Sequence, residues 1–177
     1  GYEVIELPVT TDGVVDLATA KALITEDTLL VAVQYANNET GVIQPIQQLT
    51  ELAHRQGALM HCDAVQGLGK ATLNISELEV DSASFSAHKI HGPKGVGALY
   101  LNHGVCHWPF ALPLQGGGQE KQVRPGTLNV PGIVGFGVAA DLIYQNLPER
   151  LKYMRHLCDI LEESLYDNFL GLSLIHI

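Results

Sequence analysis

Basic residues are scarce in this chain. Ten Lys and Arg stand against 19 Asp and Glu, for a formal net charge of −9. That balance argues against broad binding of nucleic acid or of an anionic membrane surface, while leaving room for one local anion site. Cysteine is sparse too. Cys62, Cys106 and Cys158 are an odd number, widely spaced, with no Cys-x-x-Cys among them. This speaks against a disulfide framework or a zinc ribbon and for free thiols in a reducing, cytoplasmic setting. There is no apolar run of about 18 residues that would span a bilayer, and no secretory signal pattern. There is also no initiator Met: Gly1-Tyr2-Glu3-Val4 opens in mid-pattern, so the chain reads as an internal part of a longer protein.

What is there is a globular composition. The chain has 177 residues, 46% of them hydrophobic and 16% charged, about one domain with enough apolar mass for a sizeable core. Val4-Ile5-Glu6-Leu7-Pro8-Val9 alternates like a strand, and Thr11-Asp12-Gly13 follows as a turn. Asp16 is placed to cap a helix over Leu17–Ile24. The nearly continuous apolar run from Thr28 to Tyr35 reads as a parallel strand covered on both faces. After the polar loop Asn37-Asn38-Glu39-Thr40-Gly41, Pro45 opens a helix with Ile46, Leu49, Leu52 and Ala53 on its apolar face, closed by Gly57. Ala58–Cys62 is the next strand, a short helix lies near Ser76–Leu78, and Ala83-Ser84-Phe85 and Ala98–Leu101 are strands on either side of a Gly-rich loop. Towards the C-terminus Pro131 starts a helix over Ile133–Tyr144, and Pro148 starts a second over Glu149–Phe169. The alternation predicts an α/β fold with a mostly parallel sheet.

In such folds ligands gather at the carboxyl ends of the strands, and Asn38, Asp63 and Lys89 each fall just after one. The loop Ser86-Ala87-His88-Lys89-Ile90-His91-Gly92-Pro93-Lys94-Gly95-Val96-Gly97 places an amine between hydroxyl and imidazole groups. A lysine so placed suits a Schiff base with an aldehyde cofactor, and its neighbours suit a phosphate. An aspartate at a strand end can keep a ring nitrogen protonated, because a nearby negative charge favours the cation. Gln66, three residues on, and Asn38 on the neighbouring loop can hydrogen-bond a ring substituent. Taken singly these residues have plainer readings: a surface lysine in a turn, a turn asparagine, a capping aspartate. Zinc at His88-x-x-His91 or His61-Cys62-Asp63 fits poorly, since adjacent strand residues face opposite ways. Gly116-Gly117-Gly118 lacks the Gly-Lys-Ser/Thr ending of a P-loop and reads as a turn near a dimer interface. His54, His103, His107 and His176 read as solvated.

Four ordered motifs go further: Asn37-Asn38-Glu39-Thr40-Gly41, His61-Cys62-Asp63-Ala64-Val65-Gln66, the lysine loop, and Gly116-Gly117-Gly118-Gln119-Glu120 through Arg124-Pro125-Gly126-Thr127. Together, over residues 1 to about 165, they closely resemble the cysteine desulfurases of the nitrogenase-associated and iron–sulfur-cluster branch. These are class V aminotransferase-type, fold-type I pyridoxal-phosphate enzymes. The resemblance implies residues 1–140 as part of the cofactor-binding large domain and 141–177 as the helical start of the small domain. It implies pyridoxal 5'-phosphate as cofactor and Lys89 as the residue that holds it covalently and moves protons. Asp63 would face the pyridine nitrogen, Gln66 and Asn38 the ring oxygen and substrate, and Ser86 and His88 the phosphate. Thr127 would reach the phosphate of the other subunit, so a homodimer follows. The activity implied is conversion of L-cysteine to L-alanine, with persulfide sulfur passed to an acceptor or iron–sulfur scaffold protein.

The departures are specific. The family's persulfide-forming cysteine lies on a mobile loop well beyond the Gly-Gly-Gly segment, and no such motif is present. Its ring-stacking histidine would precede Gly1, and its substrate-carboxylate arginine would follow Ile177. Cys62, Cys106 and Cys158 read as small hydrophobes. Two other functions compete: a different class V reaction, such as an aminotransferase or selenocysteine lyase, and a non-enzymatic cofactor-binding or dimerising role for this chain alone.

Overall fold

A computed structural model of the chain describes residues 1–102 and 114–169. Nine of its segments suffice to place the site. Helix α1 is Leu17–Leu23, strand β1 Leu30–Gln34, helix α2 Ile46–Arg55, strand β2 Leu59–Asp63, helix α3 Ile75–Leu78 and strand β3 Ser82–Ser86. A 3-10 turn, Ala87–Ile90, is followed by strand β4, Gly97–Leu101, and helix α4, Val130–Asn168. The strands lie in the order β1-β2-β3-β4. The first three are parallel, and β4 returns antiparallel to β3. The α/β class and mostly parallel sheet expected from the alternation are what is found.

Local chemistry explains most element ends. Asp16 caps α1 with one carboxylate oxygen, Oδ1, accepting from the Ala18 and Thr19 amides at 2.9 and 3.3 Å. Helix α2 buries Ile46, Leu49 and Ala53, and ends before Gly57, whose φ of +78° is the left-handed conformation that glycine reaches without a Cβ clash. The main core joins that face to Val31, Met60, Cys62 and Ala83 of the sheet. A second, smaller cluster holds Ile90 against Ala139 and Ile143 of α4, with Leu68 and Phe136 packed around them. It is this cluster that seats α4 on the lysine loop.

Three expectations are corrected. Residues 4–9 do not form a strand: only an isolated bridge, Val9 to Val15, is made, and Val4 is 88% exposed. The segment pairs with neither outer strand of the sheet, β1 or β4, and Pro8 withholds a ladder donor. Strand β1 is not covered on both faces. The Val31 face meets α2, while Ala32 on the other face is exposed. The two C-terminal helices are a single helix of 39 residues with Pro148 inside it. Proline removes one backbone donor, but no glycine stop precedes it, and Asn146, a residue able to cap, instead donates its Nδ2 to the Leu142 carbonyl at 2.8 Å, so the chain continues helical across it. The expected boundary between residues 140 and 141 therefore falls within one helix. Cys106, His103 and His107, and His176 with the residues around it, lie outside the described residues.

Candidate active site

The parallel register sets the site. Gln34 pairs with Asp63, and Asp63 with Ser84, so β1 and β2 end at one level and β3 runs two residues further, to Ser86. The ends are tied by backbone bonds from Tyr35 N to the Asp63 carbonyl at 2.7 Å and from Ala64 N to the Ser84 carbonyl at 3.1 Å. The loops bearing Asn38, Asp63 and Gln66, and Ser86 to Lys89 all leave from this edge.

Each loop is shaped by its own side chains. Asn37 Oδ1 accepts from the Glu39 and Thr40 amides at 2.8 and 2.9 Å, and Gly41 turns the chain with φ of +74°. Asn38 is thereby left exposed at the tip. Asp63 closes β2 as an exposed carboxylate, one oxygen accepting from Val65 N at 3.0 Å. Gln66 sits on the tight turn after it, half-buried, and its Oε1 accepts from Lys70 Nζ at 2.5 Å. Ser86 Oγ and His88 Nδ1 are 2.8 Å apart. Lys89 occupies the 3-10 turn, half-buried, between exposed His88 and buried Ile90. The turn is closed by Gly92 N donating to the Ala87 carbonyl at 2.9 Å, with His91 at φ of +66° as its left-handed cap.

Thr127 lies apart from that edge in the bonding pattern. Arg124 Nη1 reaches the carbonyls of Gly126 and Thr127 at 3.3 and 3.4 Å, and Gly126 N donates to Gln119 Oε1 at 3.0 Å. Among the described residues these bonds stay inside the 119–127 loop. The zinc candidates are drawn apart. Cys62 is buried in the core while His61, on the opposite face, has Nδ1 2.7 Å from Ser82 Oγ. His88 bonds Ser86, and His91 bonds Arg150. His54 is not simply solvated: its Nε2 lies 2.9 Å from Asp81 Oδ2, which also accepts from Met60 N at 2.7 Å.

Electrostatics sort the groups. Burial, and secondarily the Asp63 charge, pushes the Cys62 thiol up to about 12, far from a thiolate. Burial lowers the His61 imidazole, and Asp63 partly offsets this. Burial, then the positive charges of Lys89 and Arg150, lowers the Lys70 ammonium. Two residues that sequence reasoning passed over thus belong to the neighbourhood. Lys70 was detectable from its i,i+4 spacing to Gln66. Arg150 was not: it comes from α4, 59 residues beyond His91, to place Nη2 2.8 Å from His91 Nε2.

Known proteins share this sequence and fold. The model of the aminotransferase class-V family matches residues 1–175, and the chain belongs to that family. It is 50% identical over 142 residues to the cysteine desulfurase IscS of Anaeromyxobacter sp. (strain Fw109-5), covering 80% of this chain and 35% of that protein. A cysteine desulfurase IscS of Rickettsia typhi is 40% identical over 166 residues, covering 94% and 40%. Among solved structures, a NifS-like protein superimposes with a TM-score of 0.89 at 45% identity, over 94% of this chain and 46% of that one. The fold is accordingly that of the large domain of fold-type I transferases. The chain spans between a third and a half of the length of these relatives.

Proposed function

We propose that this chain carries the cofactor-binding half of a pyridoxal-phosphate-dependent cysteine desulfurase. The observation that carries the reading is the single sheet edge at which an exposed carboxylate, Asp63, and a half-buried amine, Lys89, leave from neighbouring strands with a hydroxyl–imidazole pair between them in sequence. The donor set matches the cofactor's chemistry. Lys89 supplies the amine for its aldehyde, Asp63 a negative charge for its pyridine nitrogen, and Gln66 and Asn38 amide groups for its ring oxygen. Ser86 and His88 serve its phosphate, and Thr127 serves the phosphate of a second copy, which makes the protein a homodimer. When bound, pyridoxal phosphate supplies an electron sink beside the substrate's Cα.

Within that arrangement the chain's own groups bind, orient and move protons. Asp63, held by the Val65 amide, keeps a fixed negative charge at the strand end. Lys89, on a turn pinned by the Ile90 cluster, is placed to take and return protons. The overall change is L-cysteine plus an acceptor thiol to L-alanine plus a persulfide on that acceptor. The C–S bond breaks, Cβ gains a proton, and sulfur passes to the thiol. Cys62 is buried and held protonated, so the acceptor thiol comes from elsewhere, and from it sulfur passes to an iron–sulfur scaffold protein. A neighbouring solved structure is titled SspA in complex with cysteine, which supports L-cysteine as the substrate class. Among the described residues no helix is long and apolar enough to cross a membrane, and the free Cys62 and Cys158 support a cytoplasmic location.

The test is spectroscopic first. Pyridoxal phosphate added to the protein gives a visible absorbance band that Lys89→Ala lacks. Cysteine and a thiol acceptor then yield alanine one for one with sulfane sulfur. No band in the unaltered protein overturns the cofactor assignment. A band without alanine from cysteine turns the reading to another class V reaction.

A further inference from the structure

Two cations near Gln66, Lys70 and Arg150, are not used by the proposed chemistry. Lys70 Nζ donates to Gln66 Oε1 at 2.5 Å. An ammonium only donates, so it can bind only the oxygen end of the amide. The two N–H groups of Gln66 Nε2 are therefore left facing the other way. The turn bearing both residues is rigid. Gly67 N and Leu68 N donate to the Ala64 carbonyl at 3.0 and 3.1 Å, and Lys70 N and Ala71 N to the Gly67 carbonyl at 3.2 and 3.0 Å. Gly67 lies against the Tyr35 ring and Gly69 against Ile143, so closely that a Cβ would fall 2.5 and 2.7 Å from them.

The charge pattern points the same way. Lys70 is close enough to Lys89 and Arg150 that their positive charges lower its proton affinity, after burial. Among the described residues the salt bridges are His54–Asp81, Arg55–Glu51 and Arg155–Asp159, and none includes Lys70, Lys89 or Arg150. Arg150 Nε is buried without a partner. Three cations thus stand together with a neutral amide and an imidazole, an excess of donors suited to an electron-rich ligand.

We propose that Lys70 is a positioning residue: it fixes the amide of Gln66 with its N–H groups towards the cofactor's ring oxygen and prevents the flipped amide from turning a lone pair on it. The inference rests on the reading that Gln66 meets that oxygen. A phenolate oxygen accepts hydrogen bonds, so only one of the two amide orientations serves it, and Lys70 selects that one before the cofactor arrives.

Two measurements separate the inference from the reading beneath it. In cofactor-free protein, the side-chain amide resonances of Gln66 shift in Lys70→Met and return towards their original positions in Lys70→Arg. Unchanged resonances in Lys70→Met overturn the inference, whatever binds there. For pyridoxal phosphate, Lys70→Met raises the dissociation constant about tenfold, the scale of a charge-assisted hydrogen bond. Lys70→Arg recovers most of it, and Lys70→Met adds nothing in a Gln66→Ala background. Additive losses in the double variant overturn the positioning role. A Gln66→Ala protein with unaltered cofactor affinity overturns the reading of Gln66 itself, and the inference with it.

Discussion

Cys62 and Cys158 are the same side chain in opposite circumstances. Cys62 is fully buried on β2, and Cys158 is exposed on α4. Iodoacetamide at pH 8, followed by peptide mapping, is expected to label Cys158 and spare Cys62 until the protein is unfolded; labelling of both at one rate in the native state would contradict the burial described. The same thiol gives a pH dependence with a definite sign. Its native value is raised from 9.0 to about 12. The unfolded thiol ionises above pH 9 while the native one keeps its proton, so stability is whole below pH 9 and declines between 9 and 12, by about 1 kcal/mol per unit. Denaturant midpoints compared between pH 8 and 10 should show this slope and lose it in Cys62→Ala. At this scale the positions of the candidate residues at strand ends were legible in the sequence. Asn38, Asp63, Gln66 and Lys89 each carry a polar group at the end of an apolar run. Lys70 shows in the sequence only as a spacing of four from Gln66, and the meaning of Arg150 lies wholly in what it approaches through space. Arg150 in particular looks like any charged residue on a helix.

Among the elements, the contact between the Gln66 turn and α4 is the most exacting. Gly69 has φ of +73°, and a methyl group there would meet Ile143 Cδ1 at 2.7 Å. Gly69→Ala should destabilise the protein by about 1–3 kcal/mol, combining overpacking with left-handed strain. It should also loosen α4 from the lysine loop, read as faster amide exchange around Ile90. Asp81 is the second exacting point, since its buried carboxylate serves both the Met60 amide and His54. Asp81→Ala leaves that amide without its acceptor and should cost about 2 kcal/mol in urea unfolding. A change under about 0.5 kcal/mol would contradict the role given to it. The four paired strands were predictable from their apolar runs, α1 from its Asp16 cap, and α2 from its apolar face, Pro45 start and Gly57 stop. The failures have physical causes. Residues 4–9 have the period of a strand but join neither outer strand of the sheet, and Pro8 among them withholds a ladder donor. Pro148 is a start signal only where the preceding turn stops, and here no residue stops it.

Over the whole molecule, apolar side chains remain on the surface of α4. Val130, Val134, Val138 and Leu142 recur every fourth residue and are all exposed. They begin three residues after Thr127, the residue assigned to a second copy's phosphate, and in a homodimer that copy would cover them. Sedimentation velocity should show the chain self-associating as concentration rises. Val138→Glu should shift it towards the monomer with its circular dichroism unchanged, and an unaltered sedimentation coefficient would place the dimer contact elsewhere. The sequence alone could suggest a dimer only through its resemblance to a family, since a helical stripe looks the same whether it meets a core or a partner.

The sheet has one more property. Its spatial order is its chain order, β1-β2-β3-β4. As the polypeptide leaves the ribosome, each of the described strands after β1 finds one neighbour already made. Loop closure at each step spans only the intervening helix or turn, the low-entropy route to a parallel sheet. Asp63 ends the second strand and Lys89 follows the third, so the two groups proposed to hold the cofactor emerge in the order of translation.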